Sequence, residues 1–222
     1  VHPLMLEAED QANRSSLQLY YHVCQSVNLH GQDVLEVGCG RGGGASFMKR
    51  YLQPHSLTGI DYSEKAIEFC QQHYQITGLH YQVGDAENLP CQDSQFDTVI
   101  NVESSHCYGR MDRFLAEVWR VLKPGGQLLW ADHRQATRLQ ELKATILGAG
   151  FELVEETVIT SSVLNAMKFQ GAYNKALIDA HVPKIARQIF YHFSGLEGTH
   201  IYNQFVSGKL VYLKMVMRKR DH

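Results

Sequence analysis

A short apolar run that ends on an acid and then breaks into glycines, VLEVGCGRGGG at residues 34–44, constrains this chain more than any other stretch. A segment this rich in glycine holds one shape only if its two ends are fixed. A buried strand delivering the chain (DVLEVGC, 33–39) and a helix carrying it away (ASFMKRYL, 45–52) provide that. Glycines at 38, 40 and 43 match the G-x-G-x-x-G spacing of dinucleotide-binding turns. In such turns the missing side chains let a ligand reach bare backbone.

The pattern continues as alternating strand and helix. SLTGIDYS (56–63) contains a second strand and SEKAIEFCQQHYQIT (63–77) is a helix with Ser63 as its N-cap. LHYQVGDA (79–86) and FDTVINVES (96–104) are strands, and MDRFLAEVWRVL (111–122) is an amphipathic helix stopped by KPGG. QLLWADHR (127–134) is a fifth strand, and 136–160 gives a helix, a GAG turn and another strand. Alternation of this kind makes an α/β, doubly wound, mostly parallel sheet, here of seven strands in a Rossmann-like arrangement. Ligands of such sheets gather beyond the carboxyl ends of the strands. That places Gly38 to Gly43, Asp61, Asp85, Glu103 to His106, and Asp132 with His133 around one site.

A length of 222 residues suits one domain with an insertion. The expected parts are an N-terminal helical segment (1–30), a ligand-binding core (31–160), a helical insertion (161–208), and a last strand with its tail (209–222). An insertion this long exceeds an ordinary connection, so it reads as a substrate lid over the carboxyl ends of the strands, with a structural cap over the sheet edge as the alternative. Its Tyr173, His181, His192 and Tyr202 are polar-tipped candidates for contact with a bulky, largely apolar acceptor. The chain begins at Val1, which fits either missing upstream residues or excision from a multidomain synthase.

Charge and composition exclude several classes. A formal net charge of −2 argues against nucleic acid as partner, and RKRD at 218–221 reads as a solvated tail. Nothing reaches the length of a membrane span or resembles a secretory leader. Five cysteines without a C-x-x-C pair fit reduced thiols in a cytoplasmic protein. Twelve histidines show no pair with the spacing of a zinc site, and Glu103, His106, Asp132 and His133 suit Mg²⁺ badly, so no metal is expected.

Which nucleotide the loop holds is decided by the acids. Glu36, two residues before the first glycine, would repel a diphosphate but suits a cationic ligand or an ordered loop. Asp61 stands where a carboxylate can accept both ribose hydroxyls, in NAD and S-adenosylmethionine sites alike. Asp85 can accept an adenine amino hydrogen while Ala86 leaves room for the ring.

The ordered set EVGCGRGGG, GIDYS, GDAENLPCQDSQFDTVI and EVWRVLKPGG resembles the class I S-adenosylmethionine-dependent methyltransferases over about residues 30 to 134. VESSHCYGRMDRFLAEVWRVLKPGG and IYNQFVSGKLVYL are similar to members that methylate hydroxyls of polyketides and polyketide-derived lipids, including phthiotriol dimycocerosate methyltransferases and assembly-line O-methyltransferases. The resemblance implies S-adenosyl-L-methionine as cofactor, with Gly38, Gly40 and Gly42 along its methionine and ribose portions. It further implies Asp61 at the ribose, Tyr62 near the adenine, Asp85 and Ala86 at the adenine edge, and Asn101 at the methionine end. The acceptor would be a hydroxylated small molecule, free or carrier-tethered.

Methyl transfer to an alcohol needs an in-line acceptor and a base, a role suited to histidine near neutral pH. His106 in ESSHCYG is the candidate, Glu103 could orient its ring or bind substrate, and His133 is the rival base or a partner. C- or N-methylation, a non-catalytic cofactor-binding module and, remotely, an NAD-dependent oxidoreductase are the alternatives.

Overall fold

The computed structural model describes residues 4–184, 187 and 197–220. Helix α1 (Arg14–Cys24) precedes β1 (Asp33–Val37), which is buried beyond its first residue. α2 (Gly43–Tyr51), β2 (Ser56–Asp61), α3 (Glu64–His73) and β3 (Leu79–Val83) follow. Then come β4 (Phe96–Val102), a one-turn 3₁₀ segment (Ser105–Cys107), α4 (Met111–Val121) and β5 (Leu122–Gln135). The described elements close with α5 (Leu139–Gly148), β6 (Phe151–Val158), α6 (Thr160–His181), α7 (His200–Val206) and β7 (Leu210–Lys219).

The strands form one seven-stranded sheet in the order β3-β2-β1-β4-β5-β7-β6, and the first five pair in parallel. Strand order reverses between β1 and β4, which opens a crevice beyond their carboxyl ends. Phe47 of α2 and Phe114 of α4 are fully buried, as are Leu35, Ile60, Ile100 and Trp130 of the strands. Each such side chain contributes about 1.5–3 kcal/mol by leaving water, which is what holds the strand ends in place.

Three local expectations need correction. α3 ends at His73 rather than 77, because Leu79 N–H already turns back to the Ile76 carbonyl and Gly78 takes φ +77° to enter β3. KPGG is more than a stop: Phe96 pairs with Leu122 and Thr98 with Gln127, so β4 advances two residues while β5 advances five. The surplus forms a bulge at 123–126, with Gly125 at φ +71°. The basic cluster is not simply a solvated tail either. Lys219 is a buried strand residue whose Nζ donates to the Leu122 carbonyl at 2.6 Å and sits 4.0 Å from the Trp119 ring centre.

The chain divides into two compact units. The first comprises Val1–Asp132, Gln140–Glu156 and Lys214–His222; the second comprises His133–Leu139 and Thr157–Leu213. Within the second, Ile159 N–H donates to the Tyr212 carbonyl and Tyr212 N–H to Thr160 Oγ1. Among the described residues no helix is long and apolar enough to cross a membrane.

Candidate active site

β1 delivers the chain into the glycine loop, and Gly38, Gly40 and Gly42 all adopt positive φ (+76°, +53° and +76°), whereas Gly43 already opens α2. The three left-handed residues therefore fall at every second position, not at the G-x-G-x-x-G spacing. Their reasons differ. A Cβ on Gly38 would collide with the Ser104 hydroxyl, and one on Gly42 would lie 2.6 Å from Tyr81 Oη and 2.8 Å from Cys70 Sγ. A Cβ on Gly40 would meet nothing within 4 Å. Gly44 is a fourth requirement that spacing did not reveal: the Tyr20 ring of α1 lies where its side chain would be.

Tyr20 also donates to Glu36 Oε1 at 2.6 Å. Glu36 is wholly buried, its other oxygen has no partner, and burial pushes its carboxyl up to about 7. Asp61 closes β2 and accepts Gly40 N–H at 2.8 Å on one oxygen and Ser63 N–H at 2.9 Å on the other, fixing loop and helix start together. Tyr62 beside it is 79% exposed. Asp85 is exposed and accepts Glu87 N–H, while Ala86 is buried. The Glu87 carboxylate in turn accepts Arg110 N–H at 2.8 Å, tying this loop to the segment after β4.

Asn101, near the end of β4, is fully buried. Its Nδ2 lies 2.9 Å from the Val37 carbonyl, which can only accept, so the amide hydrogens face that way. The same nitrogen reaches Ser104 Oγ at 2.8 Å and Tyr108 Oη at 2.9 Å, and Asn101 Oδ1 has no partner. Burial of the Tyr108 ring pushes its hydroxyl up to about 12, so it stays protonated.

His106 sits on the 3₁₀ turn just beyond β4, with a third of its side chain exposed (33%). Its Nδ1 lies 2.8 Å from Oδ1 of Asp132, whose side chain is completely buried. Asp132 Oδ2 accepts the His106 backbone N–H at 2.9 Å and the Ser105 hydroxyl at 2.8 Å. Asp132, not Glu103, therefore orients the ring. Glu103 is exposed, adopts φ +51°, and its N–H extends the pairing with Ala131 of β5. The sequence places Asp132 after the fifth strand and gives it no such role. No local signal pairs it with His106, because the contact depends on the register between β4 and β5.

His133 belongs to the second unit, where its ring meets Phe205 edge-on at 5.8 Å and tilts toward Tyr212 at 6.4 Å. Tyr202 is buried in that unit and His181 is exposed. The Tyr173 side chain and His192 lie outside the described residues.

S-adenosylmethionine presents an ammonium, a sulfonium, a ribose diol and an adenine, and the groups present fit it. Two buried acceptors without a hydrogen-bond partner among the described residues, Glu36 Oε2 and Asn101 Oδ1, lie toward the carboxyl ends of β1 and β4. Open space lies over Gly40, and carboxylates follow β2 and β3. The loop's own cation, Arg41, stacks 4.2 Å over the Phe69 ring. A diphosphate would meet acids here, while a cationic, donor-rich ligand would meet acceptors.

Comparison with known proteins points the same way. Residues 35–130 match the family model described as a methyltransferase domain. The chain is 41% identical over 209 residues to the phthiotriol/phenolphthiotriol dimycocerosates methyltransferase of Mycobacterium leprae, covering 94% of this chain and 77% of that protein. It is 39% identical over 182 residues to a fatty-acid O-methyltransferase of Mycolicibacterium smegmatis, covering 82% and 66%. The structure superposes with TM-score 0.78 and 15% identity on phosphoethanolamine N-methyltransferase 2 of Haemonchus contortus in complex with S-adenosyl-L-methionine. That match covers 92% of this chain and 53% of the other.

Proposed function

Because this chain belongs to the S-adenosylmethionine-dependent methyltransferases, we propose that it methylates a hydroxyl oxygen of a polyketide, lipid or related natural-product intermediate, with His106 as general base. The observation that carries this reading is the 2.8 Å contact from His106 Nδ1 to buried Asp132 at the end of the central strands. An ionised carboxylate can only accept, so a neutral His106 ring facing it carries its proton on Nδ1 and leaves the Nε2 lone pair for the acceptor's proton.

The cofactor supplies a methyl carbon on a sulfonium, whose departure needs no acid. An alcohol is a poor nucleophile until its proton leaves. His106 Nε2 takes that proton as the oxygen forms its bond to the methyl carbon, and the electrons of the broken S–C bond remain on sulfur. A base so placed contributes ~10²–10⁴-fold. A fatty carboxylate, the acceptor named for one relative, is already ionised at neutral pH and would gain little from a base. The His106–Asp132 pair favours a hydroxyl.

Gly38, Gly40 and Gly42 would line the methionine and ribose portions of the cofactor, Asp61 would hold the ribose, and Tyr62, Asp85 and Ala86 would meet the adenine. Glu36 and Asn101 serve the methionine end. The acceptor arrives free or tethered to a carrier domain of a multidomain synthase.

The test is methyl transfer from CD₃-labelled S-adenosylmethionine, read by mass spectrometry, to a 3-hydroxyacyl chain offered free and carrier-bound. A labelled ether formed by wild type and lost in His106→Ala supports hydroxyl methylation through this base. Label on carbon or nitrogen, or an ester on a fatty acid formed at equal rates by both proteins, overturns it.

A further inference from the structure

Trp130 and Asp132 lie two residues apart on β5 and so share one face of the strand. The Ser105–His106 turn crosses that face. Trp130 Nε1 lies 2.8 Å from Ser105 Oγ, and Ser105 Oγ lies 2.8 Å from Asp132 Oδ2. An indole N–H can only donate, so Ser105 accepts from Trp130 and, facing an ionised Asp132, gives its hydroxyl proton to Oδ2. Trp130, Ser105 and Asp132 are 1%, 4% and 0% exposed, so these donors stand where water would otherwise solvate the carboxylate.

We propose that Ser105 and Trp130 are positioning residues for methyl transfer: the relay Trp130→Ser105→Asp132 keeps Asp132 a pure acceptor and so selects the ring tautomer of His106. A protonated Asp132 could donate to Nδ1 and would move the ring proton to Nε2, the atom that must receive the acceptor's proton. The relay opposes that state with the Ser105 hydroxyl and the His106 N–H on Oδ2, while Oδ1 faces Nδ1. Removing the Ser105 hydroxyl takes one donor from Asp132 and the acceptor from the Trp130 indole at the same time. The inference rests on His106 being the base, and its test separates the two ideas.

The experiment compares wild type with Ser105→Ala, Ser105→Thr and Trp130→Phe, all ¹⁵N-labelled at histidine. His106→Gln identifies the His106 signals among the twelve histidines. Two readouts are taken: the Nδ1 and Nε2 shifts of His106, and turnover with a 3-hydroxyacyl thioester. S-adenosylhomocysteine affinity monitors the fold. Wild type is expected to show a single Nδ1–H tautomer. Ser105→Ala and Trp130→Phe are expected to show a mixture, with kcat down ~10- to 100-fold and acceptor KM changed less than ~2-fold. Ser105→Thr restores both readouts. A Ser105→Ala protein with wild-type tautomer and kcat overturns the relay. Should Trp130→Phe fail to fold, the Ser105 pair decides alone. A His106→Gln protein with undiminished turnover defeats the base reading, and the tautomer shifts then decide the relay by themselves.

Discussion

His106 and Asp132 come from different strand ends, 26 residues apart in sequence, and meet at 2.8 Å through Nδ1 and Oδ1. The meeting follows from the parallel pairing of β4 with β5, in which Asn101 faces Trp130 and Val102 faces Ala131. β4 therefore ends level with Ala131, while β5 runs on to Gln135. β4 turns at once into the 3₁₀ segment, so the residue after Ser105 drops onto Asp132, the residue after Ala131 on β5. The pair has the geometry of a base held in one orientation by a buried acid.

Asp132→Asn tests that geometry without removing the base. An asparagine offers both a donor and an acceptor to Nδ1, and the donor would leave the ring proton on Nε2. Methyl transfer to a hydroxyl is expected to fall ~10²-fold or more in kcat, with cofactor affinity little changed. His106→Ala should fall at least as far. Stopped-assay rates with the labelled cofactor check both, and equal loss in the double variant would show that the two act as one unit.

Much of this was legible in the sequence because strands and their following turns carry local signals. The run VLEVG, the Ser63 cap and the amphipathic face of α4 each announce themselves within a few residues. So did the candidate base, since His106 follows a strand end directly. The acid that holds it was not legible as its partner, because that contact depends on register between strands. Glu103, nearer in sequence, points the reader wrongly. The glycines divide in the same manner: positive φ is a local demand, but that Gly44 admits the Tyr20 ring is a tertiary fact. Lys219 reads as tail because charge suggests solvent, yet the Leu122 carbonyl of the neighbouring strand β5 and the Trp119 ring of α4 receive it.

Glu36 carries a pH signature. Burial raises its carboxyl to about 7 from the ordinary 4.5. In the unfolded chain it ionises near pH 4.5, while the folded chain keeps the proton until about pH 7. The folded state therefore binds more protons across that window, and stability falls as pH rises through it, by roughly 3 kcal/mol in all. Glu36→Gln, which keeps an acceptor for the Tyr20 hydroxyl, should remove this slope. It should make the protein more stable than wild type at pH 8 and closer to it at pH 5. Urea unfolding without cofactor at the two pH values measures the difference.

Lys219→Met keeps the alkyl stem and removes the ammonium that caps the Leu122 carbonyl and faces Trp119. The expected cost is ~1–3 kcal/mol, from a carbonyl left without its charged donor. Its exposed neighbour Arg218, changed to Ala, should cost less than ~0.5 kcal/mol. Parallel denaturation curves compare them, and equal effects would place Lys219 in solvent.

The glycine loop offers the sharpest separation of stability from binding. Gly40 and Gly42 both hold positive φ, so alanine at either incurs backbone strain of ~1–2 kcal/mol. Beyond that common cost the two sites differ. A methyl on Gly42 would press on Tyr81 Oη and Cys70 Sγ, both on elements that pack the loop from below, so Gly42→Ala should lose a further ~1–3 kcal/mol through overpacking. A methyl on Gly40 meets no protein atom within 4 Å and projects into the space assigned to the cofactor. Gly40→Ala should therefore unfold only slightly earlier than wild type yet bind S-adenosylhomocysteine at least ~10-fold more weakly, since a ligand cannot approach backbone through a methyl group. Calorimetric titration and thermal unfolding of the two variants give the comparison. Were Gly40→Ala to bind normally while Gly42→Ala lost the ligand without losing stability, the cofactor would lie on the Gly42 side of the loop.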